Sequence, residues 1–158
     1  MHSLDELDLK ILTELEKNAR ISISELARHL DCPTSTARDR IRGLEESGVI
    51  SGYTAVIDPK KLGMGIKAVI QVVRSPTVPL DNILSEADLA PEFTNIQVLT
   101  GEIDELVSIY ARDVDHLKEI LYNRFGNFKG VESWNTTIVL DEKSYPLTRQ
   151  FYQAGKDS

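Results

Sequence analysis

The chain has 158 residues, a formal net charge of −7 and an apolar content of 41%. This length fits one domain or two small ones, and the negative charge argues against a protein that coats nucleic acid through a broad basic surface. No apolar run reaches the roughly 20 residues that a membrane helix needs, and the acidic N-terminus lacks the apolar core of a secretory signal. Cys32 is the single cysteine, which excludes an internal disulfide. We therefore expect a cytoplasmic protein with no membrane association.

Three helices are predicted near the N-terminus. Leucine and isoleucine recur at helical spacing over residues 4–17, with acidic residues in the first turn. Ser22, followed by Glu25, has the pattern of a capping box and predicts a short helix in the sequence SELARHL. Pro33 ends that segment, and a third helix is expected to follow it with Gly48 as its C-terminal cap. The last two helices, joined by a short turn, form a helix-turn-helix.

The third helix has a polar face. If Ala37, Ile41 and Leu44 point inward, the hydroxyl and charged side chains between them point outward. The stretch 28–42 carries four arginines against two aspartates, a local charge of +2 that suits a localised phosphate contact. A solvated helix face is the plain alternative. The residues expected to contact double-stranded operator DNA are Thr34, Ser35, Thr36, Arg38, Asp39, Arg40 and Arg42. The last two of these either contact phosphate or brace the helix.

The second half of the chain has a different pattern. The sequence GVISGYTAVID predicts a strand, and PKKLGMG predicts a linker near residues 58–66. Strands are then predicted in KAVIQVVR, FTNIQVLT, ELVSIYAR and VESWNTTIVL, and helices in VPLDNILSEADLA and VDHLKEILYNRF. This βαββαβ order is that of a ferredoxin-like domain, so the fold class is α+β. The predicted parts are a helix-turn-helix domain over 1–50, a β-strand linker over 51–66, a ferredoxin-like domain over 67–141 and a tail over 142–158.

Both helices of a ferredoxin-like domain cover one face of its sheet, so the other face has to be covered by something else. An apolar band alternates along the last predicted strand, formed by Trp134, Thr136, Ile138 and Leu140. A symmetric dimer that packs sheet on sheet, with Trp134 and Ile138 in its core, is the simplest arrangement. In the tail, Phe151 and Tyr152 are expected to dock on a neighbouring element.

The segment TGEIDE, residues 100–105, connects two predicted strands. Gly101 supplies a positive φ and Asp104 can bond to its own turn backbone, so the residues alone favour an ordinary turn. Turn amides can also receive a carboxylate, and an acidic side chain can hold an ammonium group. A turn and a ligand site can therefore coexist at these positions.

Four stretches of the sequence together resemble the Lrp/AsnC family of amino-acid-responsive transcription regulators: LDELDLKILTELEKNARISISELA, RIRGLEESGVISGYTAVIDPKKLG, VLTGEIDELV and FGNFKGVES. The resemblance implies a DNA-binding helix-turn-helix, a β linker and a ferredoxin-like effector domain. It also implies homodimers that assemble into octamers, an amino-acid effector bound between dimers, and no catalytic cofactor. The effector site that it implies consists of Thr100, Gly101, Glu102, Ile103, Asp104, Trp134 and Thr136.

Two positions depart from the pattern of this family. Pro33 stands where the family usually begins its recognition helix with a serine, so Thr34 or Cys32 is expected to take over the capping. The family pattern often has two threonines on this strand. Trp134 stands in place of the first, while Thr136 matches the second.

Two alternatives belong to other functional classes. Sirohaem decarboxylases share the two-domain plan, but they carry a Trp-Pro-Tyr-Asn segment and a histidine in the strand corresponding to ELVSIYAR, which has none. A ligand-binding module that does not touch DNA fits the negative charge, whereas Arg38, Arg40 and Arg42 after a tight turn argue against it. No Ser-His-Asp order or glycine-rich phosphate loop stands out, and His29 with Cys32 is too small a set for a metal site. We therefore predict a regulator with no enzymatic activity, no catalytic residues and no metal.

Overall fold

The computed structural model describes residues 4–87 and 90–153, and the chain divides into two compact units. One unit combines Met1–Val56 with Lys143–Ser158, and the other is Ile57–Glu142. The C-terminal tail, which the sequence suggests as a segment of its own, thus belongs to the N-terminal unit. Within the two described ranges, no helix has both the length and the apolar character that crossing a membrane requires.

The N-terminal unit is built on three helices: α1 (Glu6–Lys17), α2 (Ile23–His29) and α3 (Thr34–Glu46). Ile11, Leu26 and Leu44, one from each helix, are fully buried and form its core. Ser22 caps α2 as predicted, since its side chain accepts a hydrogen bond from the backbone N–H of Glu25 at 3.1 Å. The three predicted helices are therefore confirmed.

The connection between α2 and α3 is tight. Asp31 adopts a left-handed conformation with φ 50°, which a short acidic residue tolerates better than most. The backbone N–H of Cys32 then donates to the carbonyl of Ala27 at 3.0 Å. At the other end of α3 the C-cap is Ser47, one residue before the predicted Gly48, which follows it with φ +74°.

The C-terminal tail packs against α1. The carboxylate of Glu16 accepts hydrogen bonds from the backbone N–H of Leu147 at 2.7 Å, and from both the backbone N–H and the hydroxyl of Thr148. Desolvation raises the pKa of Glu16, but these hydrogen bonds outweigh it and hold the pKa below its ordinary value. The tail continues into α6 (Arg149–Gln153), whose Phe151 lines a cavity of about 500 Å³ beside α1. The side chain of Tyr152 lies outside the described residues.

The prediction of a β-strand in the linker is wrong for this chain. Residues 51–58 form neither helix nor strand, because no neighbouring strand hydrogen-bonds to them. A 3-10 turn, Pro59–Leu62, follows instead.

The second unit has the predicted ferredoxin-like order. Its elements are β1 (Ile66–Arg74), α4 (Leu80–Ala87), β2 (Phe93–Val98), β3 (Glu105–Ala111), α5 (Val114–Glu119) and β4 (Val131–Val139). A π turn, Ile120–Arg124, and a 3-10 turn, Phe125–Asn127, extend α5. The four strands form one antiparallel sheet in the order β2-β3-β1-β4, so β1 is hydrogen-bonded on both edges.

The two faces of this sheet differ. One face is buried under α5 and its extension, with a core that includes Ile70, Ile109 and Phe125. The other face is the one that α5 and its extension leave uncovered. Its side chains alternate with the core positions, and its apolar members are Val69, Val73, Leu106 and Val139.

The prediction that the apolar band of β4 lies on the open face of the sheet, in the core of a dimer, is wrong. Trp134 pairs with Val72 and Ile138 pairs with Ala68, and both partners point into the core. Trp134 and Ile138 therefore lie on the helix-covered face, away from the open face. They remain 41% and 44% exposed because β4 is an edge strand of the sheet. Alternation along a strand shows which residues share a face, but it does not show which face the helices cover.

Candidate DNA-binding and effector sites

The outward face of α3 carries the hydroxyl, arginine and short polar groups that a groove-reading helix uses. Ala37 and Leu44 are fully buried and Ile41 packs against the core, so the predicted inward face is confirmed. The predicted contact residues are Thr34, Ser35, Arg38, Asp39 and Arg42, which are exposed, and Thr36 and Arg40, which are half-buried.

The N-terminus of α3 differs from the expectation. Pro33 is the N-cap residue, and among the described residues no side chain caps the first turn with a hydrogen bond. The prediction that Thr34 or Cys32 would cap the helix is therefore wrong. The first-turn N–H groups, at the positive end of the helix dipole, are left without a side-chain acceptor. Such groups bind phosphate well.

Arg40 is bound inside the N-terminal unit. Its Nη1 lies 2.6 Å from Asp5 and 3.2 Å from Asp8, at the start of α1. Asp5 and Asp8 also accept hydrogen bonds from each other's backbone N–H, which completes a capping box. Because the Asp8 side chain is fully buried, its charge needs compensation, and the ion pair with Arg40 provides it. Of the two roles that the sequence leaves open for Arg40, its contacts support the bracing one.

The turn between β2 and β3 is held against β1 by Asp104. Its backbone N–H donates to the carbonyl of Val72 at 2.9 Å, and its Oδ2 accepts from the backbone N–H of Arg74 at 2.8 Å. The N–H of Leu99 closes the turn by donating to the carbonyl of Asp104 at 2.7 Å. Gly101 has φ +133°, a conformation that L side chains rarely adopt.

Three successive amides of this turn are free. The backbone N–H groups of Gly101, Glu102 and Ile103 donate no hydrogen bond within the part of the chain that the structure describes. Gly101 and Glu102 are exposed, as is Thr100 before them. Successive free amides next to a carboxylate offer donors to an anion and an acceptor to a cation.

A buried ion pair lies beneath the turn. The carboxylate of Glu105, whose side chain is fully buried, lies 3.0 Å from Nε of Arg74. Desolvation raises the pKa of Glu105, the positive charge of Arg74 lowers it, and the charge of Asp104 raises it again, so that the pKa lies above its ordinary value. Nη1 of Arg74 donates to the carbonyl of Val78 at 3.1 Å, which ties the pair to the chain after β1.

Trp134 and Thr136 lie farther from the turn than the family pattern suggests. They are on β4, and β1 separates β4 from β3, so the backbones of β3 and β4 are roughly 10 Å apart. Trp134 packs edge-on against Phe125 with ring centroids 5.5 Å apart. The buried hydroxyl of Thr136 finds no hydrogen-bond partner within residues 4–87 and 90–153. Thr136, which the resemblance groups with the turn in one effector site, is separated from it within one chain because the strand order inserts β1 between them.

A single chain does not enclose the turn. A cavity of about 510 Å³ lies at the opposite end of the sheet, where Tyr110, Arg112 and His116 contribute to its lining. A second cavity, of about 400 Å³, lies over the open face near Lys67 and Ser108. Neither cavity is lined by residues 100–104.

Arg74 and Glu105 are the residues of this region that the sequence analysis missed. The signal was present in the alternation of the two strands. Glu105 occupies the same face of β3 as Val107 and Ile109, both core residues, so an acid stands where the pattern demands an apolar side chain. An acid at such a position requires a cation in reach, and Arg74 ends the adjacent strand.

Comparisons with known proteins agree with this architecture. The family model of the winged helix-turn-helix DNA-binding domain matches residues 4–51, and that of the Lrp/AsnC ligand binding domain matches residues 67–147. The chain is 33% identical over 142 residues to the HTH-type transcriptional regulator LrpA of Pyrococcus horikoshii, across 88% of this chain and 98% of that protein. It is 32% identical over 137 residues to the HTH-type transcriptional regulator Ptr1 of Methanocaldococcus jannaschii, across 87% and 92% of the two chains.

Solved structures give the same result. A transcriptional regulator from Neisseria meningitidis, in complex with L-Met, superposes with a TM-score of 0.86 and 25% identity, over 92% of this chain and 96% of that one. AsnC of E. coli superposes with a TM-score of 0.79 and 26% identity, over 91% and 97%. The chain belongs to the Lrp/AsnC family of transcriptional regulators, with a DNA-binding helix-turn-helix domain and a ligand-binding domain.

The raised pKa of Glu105 predicts a pH dependence. The folded protein holds the Glu105 proton more tightly than the unfolded chain, in which the pKa is near 4.5. The stability of the wild type relative to Glu105→Gln should therefore be greatest below that pH and should fall as the pH rises through the raised folded pKa. Urea titrations of both proteins at several pH values give the difference in the free energy of unfolding. A difference in unfolding free energy that grows with pH would contradict this prediction. It would show that the charge of Arg74 lowers the pKa of Glu105 by more than burial raises it.

Proposed function

We propose that this regulator reads operator DNA with the outward face of α3 and binds a free amino acid at the turn 100–104, within an assembly of at least two chains. The three free amides of that turn, beside the fixed carboxylate of Asp104, are the observation that carries the proposal. The donors suit an α-carboxylate and the acid suits an α-ammonium group.

The DNA contact is supported by the different environments of the arginines on α3. Arg40 is committed to the two acids of α1, whereas Arg38 and Arg42 are exposed on the outward side. A braced helix with free side chains on its outer face can enter a major groove as a rigid body. The absence of a side-chain cap at Pro33 adds amide donors at the tip for phosphate.

The effector class is supported by the Neisseria meningitidis neighbour, which is a complex with L-Met. An amino acid at this turn would lie in a shallow site, because Thr100, Gly101 and Glu102 are exposed and a single chain provides no enclosing wall. A second chain that faces the turn would supply that wall, as in the between-dimer cleft of the family resemblance. Trp134 and Thr136, across β1, do not provide it in this chain.

A sheet-to-sheet dimer is supported by the open face of the second unit. Val69, Val73, Leu106 and Val139 form its apolar part, on the side of the sheet opposite to the core under α5. Packing this face against its own copy buries these side chains in a self-complementary interface. Two recognition helices would then meet a pseudo-palindromic operator.

Arg38→Ala and Arg40→Ala separate reading from bracing. Arg38→Ala should weaken operator binding by about 1–3 kcal/mol and relax specificity at one base pair, with a change in unfolding free energy of no more than about 0.5 kcal/mol. Arg40→Ala should lower the urea midpoint, because it leaves the buried Asp8 without its cation. Fluorescence anisotropy with a selected operator and urea titration provide the two measurements. Operator binding by Arg38→Ala at the wild-type level would contradict the proposed reading face.

Free amino acids should stabilise the full chain against thermal unfolding. A bound effector at about 100 times its dissociation constant adds roughly 2.7 kcal/mol to the free energy of unfolding. Asp104→Asn keeps the side-chain size and an acceptor for the Arg74 amide but removes the charge, so it should remove the stabilisation while the protein stays folded. The measurement is a thermal shift with each of the twenty amino acids. An undiminished shift in Asp104→Asn would place the effector elsewhere.

Val69→Glu should dissociate the dimer, because it places a charge in the middle of the open face. Val114→Glu is the matched control, since Val114 is 51% exposed at the start of α5. Sedimentation velocity at micromolar concentration reports the mass of each variant. A wild-type chain that sediments as a monomer, or a Val69→Glu variant that sediments as a dimer, would exclude this interface.

A further inference from the structure

Arg74 has N–H donors at the rim of the turn that form no hydrogen bond among the described residues. Its Nε is paired with Glu105 and its Nη1 donates to the carbonyl of Val78. Its Nη2 lies 3.9 Å from Oδ1 of Asp104, which is too far for a hydrogen bond. A guanidinium has five N–H donors, so those of Nη2 are left over, and the Arg74 side chain is 23% exposed.

Asp104 has a carboxylate oxygen, Oδ1, that no described residue hydrogen-bonds at the same rim. Its Oδ2 takes the backbone N–H of Arg74, whereas no hydrogen bond to Oδ1 is formed in the described part of the chain. A free cationic donor and a free anionic acceptor thus lie 3.9 Å apart on a rim that solvent reaches. An α-amino acid carries its carboxylate and its ammonium group on one carbon, which matches this spacing of opposite charges.

The charges of the cluster restrict the ligand further. Asp104 and Glu105 are two acids against the single cation of Arg74. With both acids ionised, a plain carboxylic acid would add negative charge to a cluster that already has an excess of it. A plain amine would leave Nη2 of Arg74 without a partner. A zwitterion satisfies both groups and adds no net charge.

Glu105 fixes the direction of the guanidinium. It is fully buried behind Arg74, and its carboxylate lies 3.0 Å from Nε as an ion pair without the alignment of a hydrogen bond. The hydrogen bond from Nη1 to the carbonyl of Val78 and the attraction between Nε and Glu105 together favour one orientation of the planar guanidinium, with Nη2 at the rim. Glu105 touches no ligand in this arrangement and acts as a positioning residue.

We propose that Arg74, held in place by Glu105, receives the α-carboxylate of the effector together with the turn amides, and that the Arg74–Asp104 pair selects zwitterionic α-amino acids over simple acids and amines. This assignment rests on the proposed effector site at the turn 100–104. It adds the residue that discriminates the carboxylate, which the turn alone does not specify.

The test compares an amino acid with its carboxamide, which keeps the ammonium group and lacks the carboxylate. Each of the twenty amino acids is titrated into the full chain by calorimetry, and the tightest one is then paired with its amide. The wild type should prefer the acid by about tenfold or more, as expected for a charge-assisted pair. Arg74→Gln should bring this ratio close to one, and Glu105→Gln should reduce it in part. Arg112→Gln, an exposed arginine beyond the other end of β3, should leave the ratio unchanged.

A purely structural role of Arg74 would lower the thermal stability without changing the ratio of acid to amide. An unchanged ratio in Arg74→Gln would therefore overturn the proposal while leaving the effector site intact. If Arg74→Gln does not fold, Arg74→Lys provides the same comparison, because it keeps the charge but loses the fixed guanidinium geometry, and it should lower the ratio. No binding of any amino acid to the wild type would instead overturn the proposed effector function and this assignment with it.

Discussion

Two carboxylates that are withdrawn from water control the geometry of both candidate sites. Asp8 and Glu105 are fully buried, and a buried charge needs an opposite charge nearby to compensate it. Arg40 provides that charge to Asp8 in the N-terminal unit with hydrogen bonds to both carboxylate oxygens. Arg74 provides it to Glu105 in the second unit by proximity alone, and the pKa of Glu105 stays above its ordinary value because desolvation outweighs the attraction. In each unit the arginine comes from the element that the function needs in a fixed place. The cost of burying an acid is therefore offset by a link that orients α3 or the end of β1.

These two links differ in how much of the arginine they use. Arg40 directs Nη1 at both Asp5 and Asp8, which makes it an internal brace. Arg74 has one side engaged and keeps Nη2 near solvent, beside a carboxylate that it does not bond. The same residue type thus serves as a closed structural link in one unit and as a partly open, preorganised donor in the other. Preorganisation of this kind favours ligand binding because little rotamer freedom is left to lose.

Much of the fold could be predicted from local patterns in the sequence. Helical spacing and the Ser22 cap located the first helices, and alternation located all four strands of the sheet. These signals are reliable here because each amphipathic face is continuous and ends at a clear turn residue. The candidate site was predicted only where it is local in sequence, at α3 and at the turn that contains Gly101. The errors fell on positions whose role depends on a distant partner, such as Thr136.

The sequence by itself determined the order of the elements, the inward face of α3 and the position of the β2–β3 turn, because 3.6-residue and two-residue periods and turn chemistry are local properties. The class of protein followed from the resemblance of four stretches of the sequence to the Lrp/AsnC family. Only the tertiary structure decided which face of β4 the helices cover, that β1 separates the turn from Thr136, and that the tail joins Glu16 of α1. It also decided that Arg40 is a brace and that Arg74 meets Glu105. Strand order and long-range charge pairing bring together residues that are far apart in the chain, and no local period records which of them will meet.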